Sequence, residues 1–226
     1  AAERAKATTM RAETVMDYWL GDDRIKGDVL IMGEPGAKVR MNALSPAGGE
    51  MMVDLSCDGV KYVYEDKPKN CTMSGPCTEQ SIAQLLRVPL TPDDFFYLGL
   101  GTTPVIEGKR VLSWDEKKGL EKLEISDGAR TQLVLIDARD GKWDVVKSEL
   151  RGADGKLVWA VDNYDFEQLA SDDGKVTLRV PTTSHFQSPN EKADLRVDWQ
   201  QRVLNAPIDP VSYQHTVADG LPICGG

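Results

Sequence analysis

Five Asp-Gly dipeptides, at 58–59, 127–128, 140–141, 154–155 and 173–174, each separate two runs of alternating apolar and polar residues. Asp-Gly tolerates the positive φ angles that two-residue hairpin turns require, so this punctuation commits the chain to antiparallel hairpins. The arms have the matching period of two. Val176, Leu178 and Val180 alternate with Thr177 and Arg179, and Leu195, Val197 and Trp199 alternate with Arg196 and Asp198. Val39 and Met41 oppose Lys38, Arg40 and Asn42, and Met51, Val53 and Leu55 share one face of the next run. Strands are predicted over 24–33, 36–45, 49–57, 60–66, 109–114, 119–126, 130–138, 142–150, 156–164, 175–181 and 194–204. A meander of about eleven strands is too wide for a flat sheet and curls into a barrel or half-barrel.

Two stretches break the pattern. Over residues 1–20, Ala5, Thr8, Ala12, Val15, Met16 and Trp19 recur at spacings of three and four, which predicts an N-terminal helix ending at Gly21. Over residues 80–101, Ile82, Leu85 and Leu86 form a helical stripe that Pro89 ends. Thr91 then reads as an N-cap, Pro92 as the first helical residue, and Asp93 and Asp94 suit the positive end of the helix dipole. Phe95, Phe96, Leu98 and Leu100 follow almost without polar relief, with Gly99 and Gly101 as stops. Two short apolar helices inside a strand series read as a lid on the sheet. With no linker-like shift in composition, the 226 residues read as one domain, with 205–226 as an extended tail.

Several function classes are excluded or lack support. A net charge of −9 opposes nucleic-acid binding, which needs clustered Lys and Arg. No apolar run approaches the ~20 residues of a membrane-spanning helix. His185 and His215 lie in Pro- and Ser-rich segments without a nucleophile motif, so they read as loop residues. Gly99-Leu100-Gly101-Thr102-Thr103-Pro104 lacks the third glycine and the following helix of a dinucleotide loop. Asp172-Asp173-Gly174 and Glu65-Asp66 read as turn residues, and no calcium loop occurs. No cofactor is expected. Cys57, Cys71, Cys77 and Cys224 contain no CxxC pair, which opposes zinc, and their even number fits two disulfides in an oxidising compartment. Gly75-Pro76 reads as a turn joining Cys71 to Cys77, which leaves Cys57 for Cys224. The chain-entropy relation gives roughly 2–2.5 kcal/mol for the short loop and about 5 for the long one. Four free thiols in a reducing compartment are the alternative. The start at Ala1, without methionine, reads as a mature or trimmed chain.

The order of features resembles a known family. The turn Leu44-Ser45-Pro46-Ala47-Gly48-Gly49, then Asp58-Gly59 and Tyr62, precede Leu85-Leu86, Leu90-Thr91, Phe95 and Leu98-Gly99-Leu100-Gly101, and a hairpin meander ends the chain. Over roughly residues 10–200 this is similar to the LolA/LolB-like outer-membrane lipoprotein chaperones, and closer to the LolB-like lipoproteins. The resemblance implies a half-open antiparallel β-barrel covered by helices, mainly β in class, with an apolar cavity for acyl chains. It implies lipoprotein acyl chains or phospholipid as cargo and another lipoprotein carrier as partner. It further implies a periplasmic address and an outer-membrane lipid anchor preceding Ala1. Where LolB-like proteins present a bulky apolar residue on a protruding loop, this chain has only Pro46, Ala47 and Gly48.

On this reading the protein is a carrier or receptor and not an enzyme. Leu85, Leu86, Phe95, Phe96 and Leu98 form its lid. Met41, Met51, Val53, Leu55, Tyr62, Leu112, Trp114, Leu133 and Leu135 form its cavity wall, and the flexible Met32, Met41, Met51 and Met52 suit an irregular ligand. The alternatives are an interaction or lipid-sensing module of the cell envelope with a filled core, and a small-molecule enzyme on the same half-barrel.

Overall fold

The computed structural model describes residues 3–45, 49–78, 80–82 and 90–224. Thirteen strands make one antiparallel sheet: β1 (Met10–Leu20), β2 (Asp23–Glu34), β3 (Lys38–Leu44), β4 (Met51–Asp58), β5 (Lys61–Asp66), β6 (Cys71–Pro76), β7 (Lys109–Asp115), β8 (Leu120–Ser126), β9 (Thr131–Asp137), β10 (Asp144–Arg151), β11 (Leu157–Ala170), β12 (Thr177–Ser188) and β13 (Ala193–Leu204). Their order is β6-β5-β4-β3-β2-β1-β13-β12-β11-β10-β9-β8-β7, open at both ends. The five Asp-Gly pairs between strands lie at hairpin tips, with glycine φ angles of 97, 91, 71, 76 and 67° in chain order, and a sixth, Asp219-Gly220, lies in the tail. Local turn chemistry therefore specifies five of the hairpins directly.

The strand order explains the helical interruption. The chain starts mid-sheet, winds outward to the β6 edge, and must then cross to the opposite edge at β7 before winding back. Residues 77–108 make that crossing. A helix on this segment, α1 (Pro92–Gly99), packs against β1, β2, β3 and β12 and so covers the middle of one face. That covered face holds the main core, with Ile31, Met41, Leu55, Trp159, Val161, Phe186 and Leu204 in a single cluster. Residues from both arms of the sheet meet there, so the sheet curls around α1.

Two strands were not among the eleven expected. The N-terminal helix predicted over 1–20 is instead a short 3-10 turn (Arg4–Lys6) followed by β1. Residues 10–14 satisfy a period of two as well as the helical spacing: Met10, Ala12 and Thr14 are buried while Arg11 and Glu13 are exposed. β1 also pairs on both sides, with β2 and β13, and that ladder outweighs helix propensity. The other addition is β6. Its Gly75-Pro76 does not turn: Gly75 pairs with Tyr62 and Pro76 with Lys61, on an edge strand where proline is tolerated.

That strand also corrects the disulfides. Cys71 and Cys77 stand at opposite ends of an extended segment, about 20 Å apart at ~3.3 Å per residue, beyond the ~7 Å that a bridge can span. The bridges are Cys57–Cys77 and Cys71–Cys224. The first staples the start of the crossover to β4. The second ties down the tail.

The tail, 205–224, runs over the face opposite the core. Thr9 Oγ1 and the Arg11 guanidinium donate to the carbonyls of Ala206 and Pro207, and Arg40 Nη1 donates to Ser212 O at 3.0 Å. Tyr213, on a 3-10 turn (Pro210–Tyr213), is buried. His215 sits between carboxylates, with Nε2 2.8 Å from Glu65 and Nδ1 3.3 Å from Asp54. Pro222 and Cys224 then hydrogen-bond Thr72 along the outer edge of β6, beside a Thr72–Ile223 bridge. The tail is a strap, closed by a disulfide.

Candidate functional site

α1 is held at both ends. A capping box closes its N-terminus: Thr91 Oγ1 accepts from Asp94 N at 3.1 Å, and Asp94 Oδ2 accepts from Thr91 N at 2.7 Å. Pro92 occupies the first turn, where its missing N–H costs nothing. The Asp93 carboxylate reaches outward instead, accepting the backbone N–H groups of Gly36 and Ala37 at 3.1 and 2.7 Å. This ties the helix to the β2–β3 turn. At the C-terminus, Arg202 Nη1 donates to Gly99 O at 3.1 Å and Arg4 Nε to Leu100 O at 2.9 Å. Cations there satisfy orphan carbonyls and suit the negative end of the helix dipole. Burial lowers the pKa of both guanidinium groups, with Glu167 opposing the effect at Arg202 and Asp144 at Arg4.

Two glycines let the helix sit this low. A Cβ at Gly99 would run into the Met10 thioether, and one at Gly101, where φ is +71°, would lie 2.6 Å from Pro181 Cδ.

The apolar side chains of α1 divide between two contacts. Phe96 is buried against Gly33 of β2, with its ring edge-on to Tyr97 at 5.3 Å between centroids. Phe95 and Leu98, three residues apart and therefore on one helix face, point to a cavity of about 30 Å³. Its other walls are Leu90 before the helix and Met16, Ile31, Val161, Phe186, Leu195, Val197 and Trp199 on the sheet. Ser184 is the one polar residue of the lining, and its hydroxyl is engaged: it lies 2.8 Å from Asn163 Oδ1 and accepts from Trp199 Nε1 at 3.1 Å. The cavity thus offers no free polar group. Its lining suits apolar groups and offers nothing to a polar one.

No family model matches the sequence, and no curated protein does. Solved structures do match. A DUF1329 family protein from Desulfovibrio piger has a TM-score of 0.60 at 13% identity, over 93% of this chain and 91% of that one. An outer-membrane lipoprotein-sorting protein domain from Vibrio parahaemolyticus has a TM-score of 0.59 at 12% identity, over 94% and 93%. A LolA superfamily protein from Nitrosomonas europaea has a TM-score of 0.57 at 10% identity, over 91% and 90%. The fold is LolA/LolB-like.

Within this LolA/LolB-like sheet the expected site residues scatter. Phe95 and Leu98 line the cavity and Phe96 is buried beside it, whereas Leu85 and Leu86 lie outside the described residues, as does the turn at Pro46, Ala47 and Gly48. Met41 and Leu55 are buried in the core and Val53 and Tyr62 are half-buried, but none of them borders the cavity. Met51 is half-buried, its sulfur 3.6 Å from Asn42 Nδ2. Met32 lies on the opposite face from Ile31 and Met41, because it pairs with Arg40.

Four wall assignments are corrected. Leu112 and Trp114 are 61% and 52% exposed, because β7 is the far edge and α1 does not reach it. Leu133 and Leu135 flank Val134, which pairs with Leu123 opposite Leu112, so both point to the other face. The walls that were missed come from β1, β2 and β11–β13. Leu195, Val197 and Trp199 had the right alternation. Met16 was hidden by reading β1 as a helix.

Proposed function

We propose that the protein is a carrier or receptor that shields acyl chains of a lipoprotein or phospholipid between α1 and the concave face of its sheet. The observation that carries this reading is the apolar cavity between α1 and the concave face of the sheet. An acyl chain in water costs about 0.8 kcal/mol per CH₂, so a protein that moves one between membranes must bury it. The two disulfides support an oxidising compartment, and the names of the matched lipoprotein-sorting and LolA-superfamily structures support the periplasm of a Gram-negative bacterium. An N-terminal lipid anchor at the outer membrane and a second carrier as donor complete the proposal. No catalytic step is part of it.

The described cavity is far below the roughly 300–1,000 Å³ of ordinary ligand pockets. On this reading the structure represents a closed state, and loading would require α1 to move away from the Met16, Val161 and Trp199 side of the cavity. Native mass spectrometry of the purified protein for co-purifying lipid, with titration of a fluorescent fatty acid, tests this. Bound lipid or saturable probe uptake is expected. The small volume favours a second reading, an envelope interaction module with a filled core, and a protein that neither carries lipid nor takes up probe would support it.

A further inference from the structure

The two edges of the sheet are treated differently. β6 is covered by the strap, with Thr72 N donating to Pro222 O at 2.9 Å and Cys224 N to Thr72 O at 3.1 Å. β7 has β8 as its only strand partner among the described residues, and every side chain from Lys109 to Trp114 is exposed. Val111, Leu112 and Trp114 are 51, 61 and 52% exposed, on both faces of one strand. An open apolar edge pairs with another strand unless something prevents it.

The sequence of this edge specifies its partner. We infer that β7 pairs antiparallel with β7 of a second copy of the chain, about a two-fold axis through Leu112. In that register Lys109 faces the partner's Asp115, Arg110 faces the partner's Trp114, Val111 faces the partner's Ser113, and Leu112 faces itself. Each pair occurs twice except the Leu112 pair, which lies on the axis. The register places both cations of the strand opposite a carboxylate or an aromatic face, the combinations that stabilise cross-strand neighbours. Sliding by one residue pair sets Val111 against Asp115, or Arg110 against Leu112. Asp115 Oδ1 accepts the backbone N–H groups of Lys117 and Lys118 at 3.1 Å each, which leaves Oδ2 for the partner's lysine. The contact is isologous, closes at two copies and leaves the lid face of each copy free.

Sedimentation velocity of the full chain over a concentration series tests the inference. A monomer–dimer equilibrium is expected. Leu112→Lys sets two lysines on the axis and should weaken the dimer by roughly tenfold or more, while the exposure of the site leaves the thermal melt unchanged. Lys109→Asp should weaken it by roughly tenfold, and Lys109→Asp with Asp115→Lys should restore it. Leu112→Cys should cross-link copies on mild oxidation, since directly opposed strand residues lie within disulfide reach; Lys109→Cys should not. A monomer at every concentration, a dimer indifferent to Leu112→Lys, or a double exchange no better than the single one overturns the inference. So does a monomer that floats with phosphatidylglycerol vesicles through Trp114, which would make the edge a membrane contact.

Discussion

The two arms of the sheet are built to different standards. On the arm from β1 to β6, α1 covers β1 to β3 on one face, the strap crosses from β1 to the β6 edge on the other, and both disulfides lie there. From β7 to β9 there is neither helix nor strap, and the edge strand is bare. The cavity sits at the junction, its walls drawn from β1 and β2 on one arm and β11 to β13 on the other. If the half-barrel opens as proposed, the arm from β1 to β6, with both disulfides and the strap, is the wall it opens against.

Opening the Cys71–Cys224 bridge of the strap should have the largest effect. Replacing Cys71 and Cys224 together by serine should cost about 5 kcal/mol in a denaturant melt, because the bridge closes 153 residues of chain. Hydrogen exchange should show protection falling by that global amount throughout the sheet, with a further local loss at the β6 edge and the strap; no extra loss there would mean that the strap is held without the bridge.

Next come the two phenylalanines of α1. Phe96→Ala, on the firm side against Gly33, should cost roughly 3–5 kcal/mol. Phe95→Ala should cost less, because it extends an existing cavity, and it should raise uptake of an apolar probe. Equal costs with no probe uptake would remove the distinction between the packing contact and the cavity contact.

Alkaline pH sharpens the comparison without a mutation. Burial and the nearby Asp66 raise Tyr64 to about 12, and burial raises Tyr213 further. Both keep the neutral phenol in the folded state, so their stabilisation is complete below the unfolded value near 10 and is lost as pH climbs from 10 through 12. After allowance for partial exposure the effect at Tyr64 is on the order of 1–2 kcal/mol. The strap and β5 should therefore loosen first in a pH titration followed by hydrogen exchange. The smallest effect is Tyr213→Phe. The Tyr213 hydroxyl is buried without a hydrogen-bond partner among the described residues, so its removal should stabilise the strap by up to about 1 kcal/mol.

Much of the meander was legible because its information is local. An Asp-Gly tip and two alternating arms are read within a dozen residues, and all eleven expected strands form. What was not legible depends on partners far away in the chain. Ala12 and Met16 fit either period, and β13, almost two hundred residues later, decides in favour of the strand. Gly75-Pro76 reads as a turn until Lys61 and Tyr62 pair with it. Cys71 finds Cys224 only because the strap passes the β6 edge. At the site, the helix face carrying Phe95 and Leu98 was readable from spacing. The wall opposite was not, since alternation shows that Leu112 and Leu195 each have a face but not which of them lies beneath α1.

On the proposed function, hydrocarbon enters the space beside Trp199. Quenching of tryptophan fluorescence by a brominated fatty acid, measured in the wild type and in Trp199→Phe, tests it most directly. Trp199 borders the cavity, whereas Trp114 and Trp143 are exposed. The account predicts saturable quenching in the wild type, most of it absent from Trp199→Phe. No saturable quenching, or quenching unchanged by the substitution, would contradict it.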